Sequence, residues 1–160
     1  MRFHLVDRVD EICYDNYIKG CKCVSLADDV FNEHFPGYPI FPGCLIQEGL
    51  AQLAGSFFEI MMHKKDWPVK HSVLTIVNKM KFRKAAEPGD KMIYRADIAV
   101  MREDYGVAHV KADLDGSPVA NGTLTFSFIA LDNEIVFESR KLIYEICMKN
   151  AKVIQHEDSV

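Results

Sequence analysis

His34 and Glu48, with Gln52 beside the second, are the residues of this 160-residue chain whose types and spacing could do proton-transfer chemistry. His34 opens a loop stiffened by Pro36, Pro39 and Pro42, and Glu48 and Gln52 follow one turn apart in a helical pattern. An imidazole with its ordinary pKa of about 6.5 is largely neutral and basic at pH 7. A carboxyl group among small, apolar neighbours can keep its proton and serve as an acid. Between them, Pro42-Gly43-Cys44 reads as a helix start, where N–H groups without an intrahelical acceptor meet a favourable dipole. Gly43 there lets a ligand come close to the backbone. Taken singly, each residue has a blander explanation: a packed or surface histidine, a solvated glutamate, a glutamine capping a buried contact. Together they describe general acid–base chemistry beside donors fit for an oxyanion.

The helix that must carry these groups is legible from its apolar period. At 100° per residue, Ile46, Leu50, Leu53, Phe57 and Met61 gather on one face, with Ala54 and Ile60 at its edges. Glu48, Gln52 and Glu59 fall opposite, set among the small residues Cys44, Ala51 and Gly55. Before the helix, residues 8 to 26 read as two strands, with Gly20 marking a bulge or bend in the second. Asp28 to Asn32 is turn-like. After it, His63, Lys64, Lys65 and Pro68 form a stop signal.

From His71 to Leu131 the pattern is strands. Glu87-Pro88-Gly89-Asp90 is a turn, Met92 to Val100 alternates, a turn is expected at Tyr105-Gly106, and Asp115-Gly116 signals a hairpin. One long helix plus consecutive antiparallel strands makes an α+β domain, with the Ile46/Leu50/Phe57 stripe covering the sheet. The expected domain covers 1–132. Beyond it, 133–160 is an extension with a helix over Ser139–Val153, Leu142, Ile143 and Ile146 near one face, and an end that frays from His156.

The stretch His-Phe-Pro-Gly-x-Pro-x-x-Pro-Gly from His34, with Glu48 fourteen residues on and Ala51-Gln52 after it, resembles the 3-hydroxyacyl-acyl carrier protein dehydratases. Phe3 to Val9, Lys79 to Arg83 and Glu87 to Asp90 resemble that family's opening segment and later strand and turn, in its order. The resemblance implies a hot-dog fold, a long helix wrapped by an antiparallel sheet. It implies removal of water from (3R)-3-hydroxyacyl thioesters to give trans-2-enoyl thioesters, in fatty-acid synthesis or a specialised acyl or polyene pathway, without metal or organic cofactor. Carried over, His34 is the base, Glu48 the acid, the Gly43 N–H a carbonyl donor, Cys44 its substrate-side neighbour, and Gln52 the residue orienting Glu48. The family's sites lie at a dimer interface, which implies a homodimer at least, with a trimer of dimers left open.

Glu at position 48, where Asp would mark the isomerising branch, points to the plain dehydratase. Gly49 replaces the family's usual Ala, and Cys44 a usual aliphatic residue, so acyl length stays open. A hot-dog thioesterase and a non-catalytic acyl-binding domain are the competing readings. Lys79, Lys81 and Arg83 alternate with Met80 and Phe82 and are joined by Lys84, either a stripe steering an acidic carrier protein or an ordinary solvated face.

Composition bounds the rest. A hydrophobic share of 49% and a charged share of 26% are those of a globular protein. The net charge of −4 argues against nucleic acid as main partner. No apolar run has membrane-span length, and Arg2, Asp7, Arg8, Asp10 and Glu11 leave no signal-peptide core. Five cysteines suggest reduced thiols in a cytoplasm. Cys21 and Cys23 share a strand face but lack a second pair at zinc-like spacing, so packing is favoured over metal.

Overall fold

The computed structural model describes residues 3–155, apart from the side chains of Ser139, Leu142 and Ile143. In chain order the elements are β1 (Arg8–Cys13), β2 (Tyr17–Cys23), α1 (Gly43–Lys64), β3 (His71–Phe82), β4 (Lys91–Met101) and β5 (Tyr105–Leu114). β6 (Ser117–Ile129), α2 (Glu134–Met148) and β7 (Lys152–Val153) complete it. A short 3-10 turn at Asp29–Asn32 precedes the proline loop. The strands form one sheet in the order β3-β6-β5-β4-β2-β1-β7. All neighbours are antiparallel except β1 and β7.

This is the α+β hot-dog arrangement expected from the sequence. The sheet wraps α1, which packs against β2, β3, β4, β5 and β6. Ile46, Leu50, Leu53, Phe57 and Met61 are each at most 2% exposed, so the stripe that the period marks is buried; Ala51, Phe58, Glu59 and Met62 off that stripe are buried as well, because the sheet and α2 cover more of the helix than one face. Burying a side chain of this size stabilises by about 1.5–3 kcal/mol, which makes this face the anchor of the helix. The Asp115-Gly116 hairpin forms as read: Leu114 pairs with Ser117, and the two turn residues have φ of 48° and 80°.

Several local expectations are corrected. Tyr105 and Gly106 lie inside β5, and the turn sits just before them, with the Arg102 N–H donating to the Tyr105 carbonyl. Gly106 is there because a Cβ would stand 2.5 Å from the Phe58 ring. The bulge assigned to Gly20 lies instead in β1, between Val9 and Glu11. Gly20 allows close approach of the Arg8 carbonyl, which a Cβ would meet at 2.5 Å.

The extension also differs. Its helix starts at Glu134, five residues before the expected Ser139, because the Asn133 side chain accepts from the Ile135 and Val136 N–H groups. It ends at Met148, and Lys152–Val153 adds a short parallel strand beside β1. The expected face of Leu142 and Ile143, and the end from His156, fall outside the described residues. The described part of the extension docks on the domain: α2 packs against β1, its Arg140 and Tyr144 bond Glu59 of α1, and β7 pairs with β1.

Gly49 has a packing reason. Tyr94 from β4 is fully buried, and a Cβ at position 49 would stand 2.6 Å from its ring and 2.9 Å from the Leu5 carbonyl oxygen. Overpacking of this kind costs about 1–3 kcal/mol. Gly49→Ala is thus expected to lower stability by that amount despite alanine's better helix propensity, as urea denaturation would measure; a stabilised variant would refute this packing account.

Candidate active site

Glu48 and Gln52 are brought together on the half-buried face of α1. The Gln52 side-chain amide donates to the Glu48 carboxylate at 3.0 Å and to the Phe3 carbonyl at 3.2 Å. Its carbonyl oxygen accepts the Leu5 N–H at 2.8 Å. All of Gln52's main bonding directions are thereby fixed. Glu48 is held by a group that is itself clamped to the N-terminal segment. Sequence reasoning expected Gln52 to touch Glu48 but missed the backbone of Phe3 and Leu5, for which no local signal exists.

Glu48 opens into a cavity of about 240 Å³ also lined by Phe3, Val6, Gln52, Ser56 and Ile60 from the domain and by Tyr144 and Met148 from α2. Deeper along α1, Glu59 is 6% exposed and fully engaged. It accepts the Ser72 N–H at 2.9 Å, Arg140 at 2.9 Å and the Tyr144 hydroxyl at 2.7 Å. Arg140 also donates to His71 Nδ1 at 2.7 Å, which gives that ring its acceptor there. Burial, then the charge of Glu59, pushes the Tyr144 hydroxyl well above the usual tyrosine range, so it remains a donor. This cluster fastens α2 to α1, and no feature of the sequence announced it.

His34 sits half-buried in the proline loop. Its Nδ1 lies 2.8 Å from the Ile40 carbonyl oxygen, an acceptor only, so Nδ1 carries the proton and a neutral ring keeps its Nε2 lone pair. The ring stacks on Phe35 with centroids 4.2 Å apart, and the Ile40 N–H donates back to the His34 carbonyl. Pro36, Pro39 and Pro42 restrict φ along this loop, which helps to hold the ring in place. His34 does not line the cavity that holds Glu48. Within one chain the described cavity at Glu48 is thus lined without His34.

Gly43 opens α1, where the Leu45 and Ile46 N–H groups both return to the Pro42 carbonyl. Pro42 supplies no side-chain cap and the first turn holds no acid, so the positive end of the helix is uncompensated from within. A Cβ at Gly43 would meet the Phe82 ring at 3.1 Å, so the glycine admits Phe82 as well as leaving the backbone open. Cys44 is exposed on the same turn. Beside Gly43 lies a cleft of about 260 Å³ lined by Ile40, Phe82, Arg83 and Lys84.

The basic stripe is divided. Lys79 has φ of 52° at a register shift between Asn78 and Lys81, so strict alternation breaks there. Lys79 and Lys81 line an outer groove with His109, Lys111 and Asn121, whereas Lys84 lies at the Gly43 cleft. Arg83 spans the two, lining the cleft and donating to the Asn121 side chain at 3.2 Å.

No group of described residues has the make-up of a metal site. All five cysteines are free, and burial raises the Cys21 thiol to about 11. No described helix is long and apolar enough to cross a membrane.

Comparisons with known proteins bear on the family and the fold. A family model described as the FabA-like domain matches residues 1–123. The chain is 41% identical over 123 residues to the 3-hydroxyacyl-acyl-carrier-protein dehydratase FabZ of Streptococcus mutans, covering 77% of this chain and 85% of that protein. Among solved structures, the dehydratase heterocomplex ApeI:P of Xenorhabdus doucetiae superposes with a TM-score of 0.67 at 17% identity, over 86% of this chain and 90% of that one. A hot-dog-like protein of Thermanaerovibrio acidaminovorans gives 0.58 at 20%, over 88% and 93%. At those identities the structures speak to the fold alone, whereas the sequence matches reach the family: this chain belongs to the FabA-like domain family.

Proposed function

We propose that this chain is a 3-hydroxyacyl-acyl carrier protein dehydratase, a hydro-lyase of fatty-acid synthesis or a related acyl pathway, working in the cytoplasm. The observation that carries this reading is the Glu48 carboxyl group, clamped by Gln52 at the mouth of a largely apolar cavity in a chain so similar to FabZ dehydratases. In the reaction, His34 Nε2 takes the proton from C2 of the acyl chain. The C2–H electrons form the C2–C3 double bond, the C3–O bond breaks, and Glu48 protonates the departing hydroxyl as water. The N–H groups at Gly43 hold the thioester oxygen as charge builds on it. The His34 that serves each Glu48 comes from the second subunit of a homodimer, in keeping with a Glu48 cavity that one chain lines without it.

Acyl carrier proteins are acidic, and Arg83 and Lys84 flank the Gly43 cleft, with Lys79 and Lys81 farther along β3. These cations steer the carrier toward the tunnel. The test is turnover of enoyl thioesters on carrier protein and on coenzyme A. Hydration without release of free thiol is expected, and the carrier's advantage should shrink as salt rises. Thiol release without hydration would instead identify a thioesterase.

A further inference from the structure

We propose that the substrate's acyl chain runs from Glu48 into the seam between α1 and α2, and that Met148 and Tyr144 set the chain length accepted. This rests on the dehydratase reading, which puts the reacting carbons at Glu48. The far wall of the Glu48 cavity is α2, through Arg140, Tyr144, Cys147 and Met148. A second, mostly apolar cavity of about 530 Å³ continues along the same two helices, past Val69 and Phe137. Ile60, Arg140, Tyr144 and Met148 line both cavities and so form the partition between them.

The partition has fixed and soft parts. Arg140 and Tyr144 are tethered to the buried Glu59 carboxylate. Met148 is half-buried and packed against the core by apolar contact; being unbranched, it changes rotamer easily. An alkyl chain suits the space beyond, because apolar surface is covered there without unmet hydrogen bonds. The wall belongs to residues beyond 123, outside the stretch that the family model matches. Gly49, filled by Tyr94, lines neither cavity, which moves the length determinant from α1 to α2.

The test compares the full-length protein with Met148→Ala, Met148→Trp and the outward-facing control Ile146→Ala, whose site is 66% exposed. Binding of 3-hydroxyacyl carrier protein and kcat/KM for enoyl substrates are measured across short to long chains. Met148→Ala should improve discrimination toward the longest chains by about tenfold and Met148→Trp should worsen it by about as much, with short chains and Ile146→Ala unchanged. If both Met148 variants keep the parental Tm and the parental length profile in binding, the proposal is overturned, whatever the turnover. A shifted binding profile in a protein that hydrates nothing supports the chain path and counts against the dehydratase reading alone.

Discussion

Replacing His34 with alanine is expected to lower kcat for enoyl-thioester hydration by about 10²–10⁴-fold, or about 3–5 kcal/mol of barrier, with Tm nearly unchanged. The small stability effect follows from position: the ring lies in a surface loop, and its one side-chain hydrogen bond, to Ile40, is worth about 1 kcal/mol net. Asparagine in place of His34 should fare no better, because an amide can take the hydrogen bond to Ile40 but cannot take the proton. Activity within a few-fold of the parent in both variants would remove His34 from the mechanism.

Glu48→Gln is the second large effect, with a loss of kcat of about 10²–10⁴-fold. The amide fills the same volume and still presents an oxygen to the Gln52 amide, so the hydrogen-bonded clamp on Phe3 and Leu5 should survive and folding with it. What disappears is the proton that the proposed mechanism gives to the departing hydroxyl. The two variants also test each other. If the proposed homodimer shares its sites, co-expressed His34→Ala and Glu48→Gln subunits would form mixed dimers in which one site draws an intact histidine from one chain and an intact glutamate from the other. Random pairing would then recover about one quarter of parental activity, because half the dimers are mixed and each has one good site. Were both groups contributed by the same chain, each mixed dimer would hold two broken sites and nothing would be recovered.

The buried cluster at Glu59 explains why α2 can serve as a wall. An ion pair out of water is held together by its remaining hydrogen bonds. Here the carboxylate has the Ser72 N–H, the Tyr144 hydroxyl and Arg140 all at once. Losing Arg140 would leave the carboxylate charge uncompensated, and losing either neutral donor would leave an oxygen short of a hydrogen bond, so the helix is fixed where it approaches Glu48's cavity.

What the sequence determined by itself is whatever depends on local period and local chemistry. The apolar stripe from Ile46 to Met61 could be buried only by a sheet, the Asp115-Gly116 pair demanded its turn, and the proline loop with His34 and Glu48 carried the family resemblance. The start of α2 was missed because the Asn133 cap lies outside the apolar period, and its end because two residues of strand leave no periodic trace. The tertiary structure alone decided that Gly49 makes room for Tyr94, that a bulge at Lys79 divides the basic stripe, and that Glu59 meets Arg140 and Tyr144 some eighty residues away. Those are contacts between distant segments, governed by volume and by the need to satisfy buried polar atoms, and neither quantity is written in the spacing of one strand or helix.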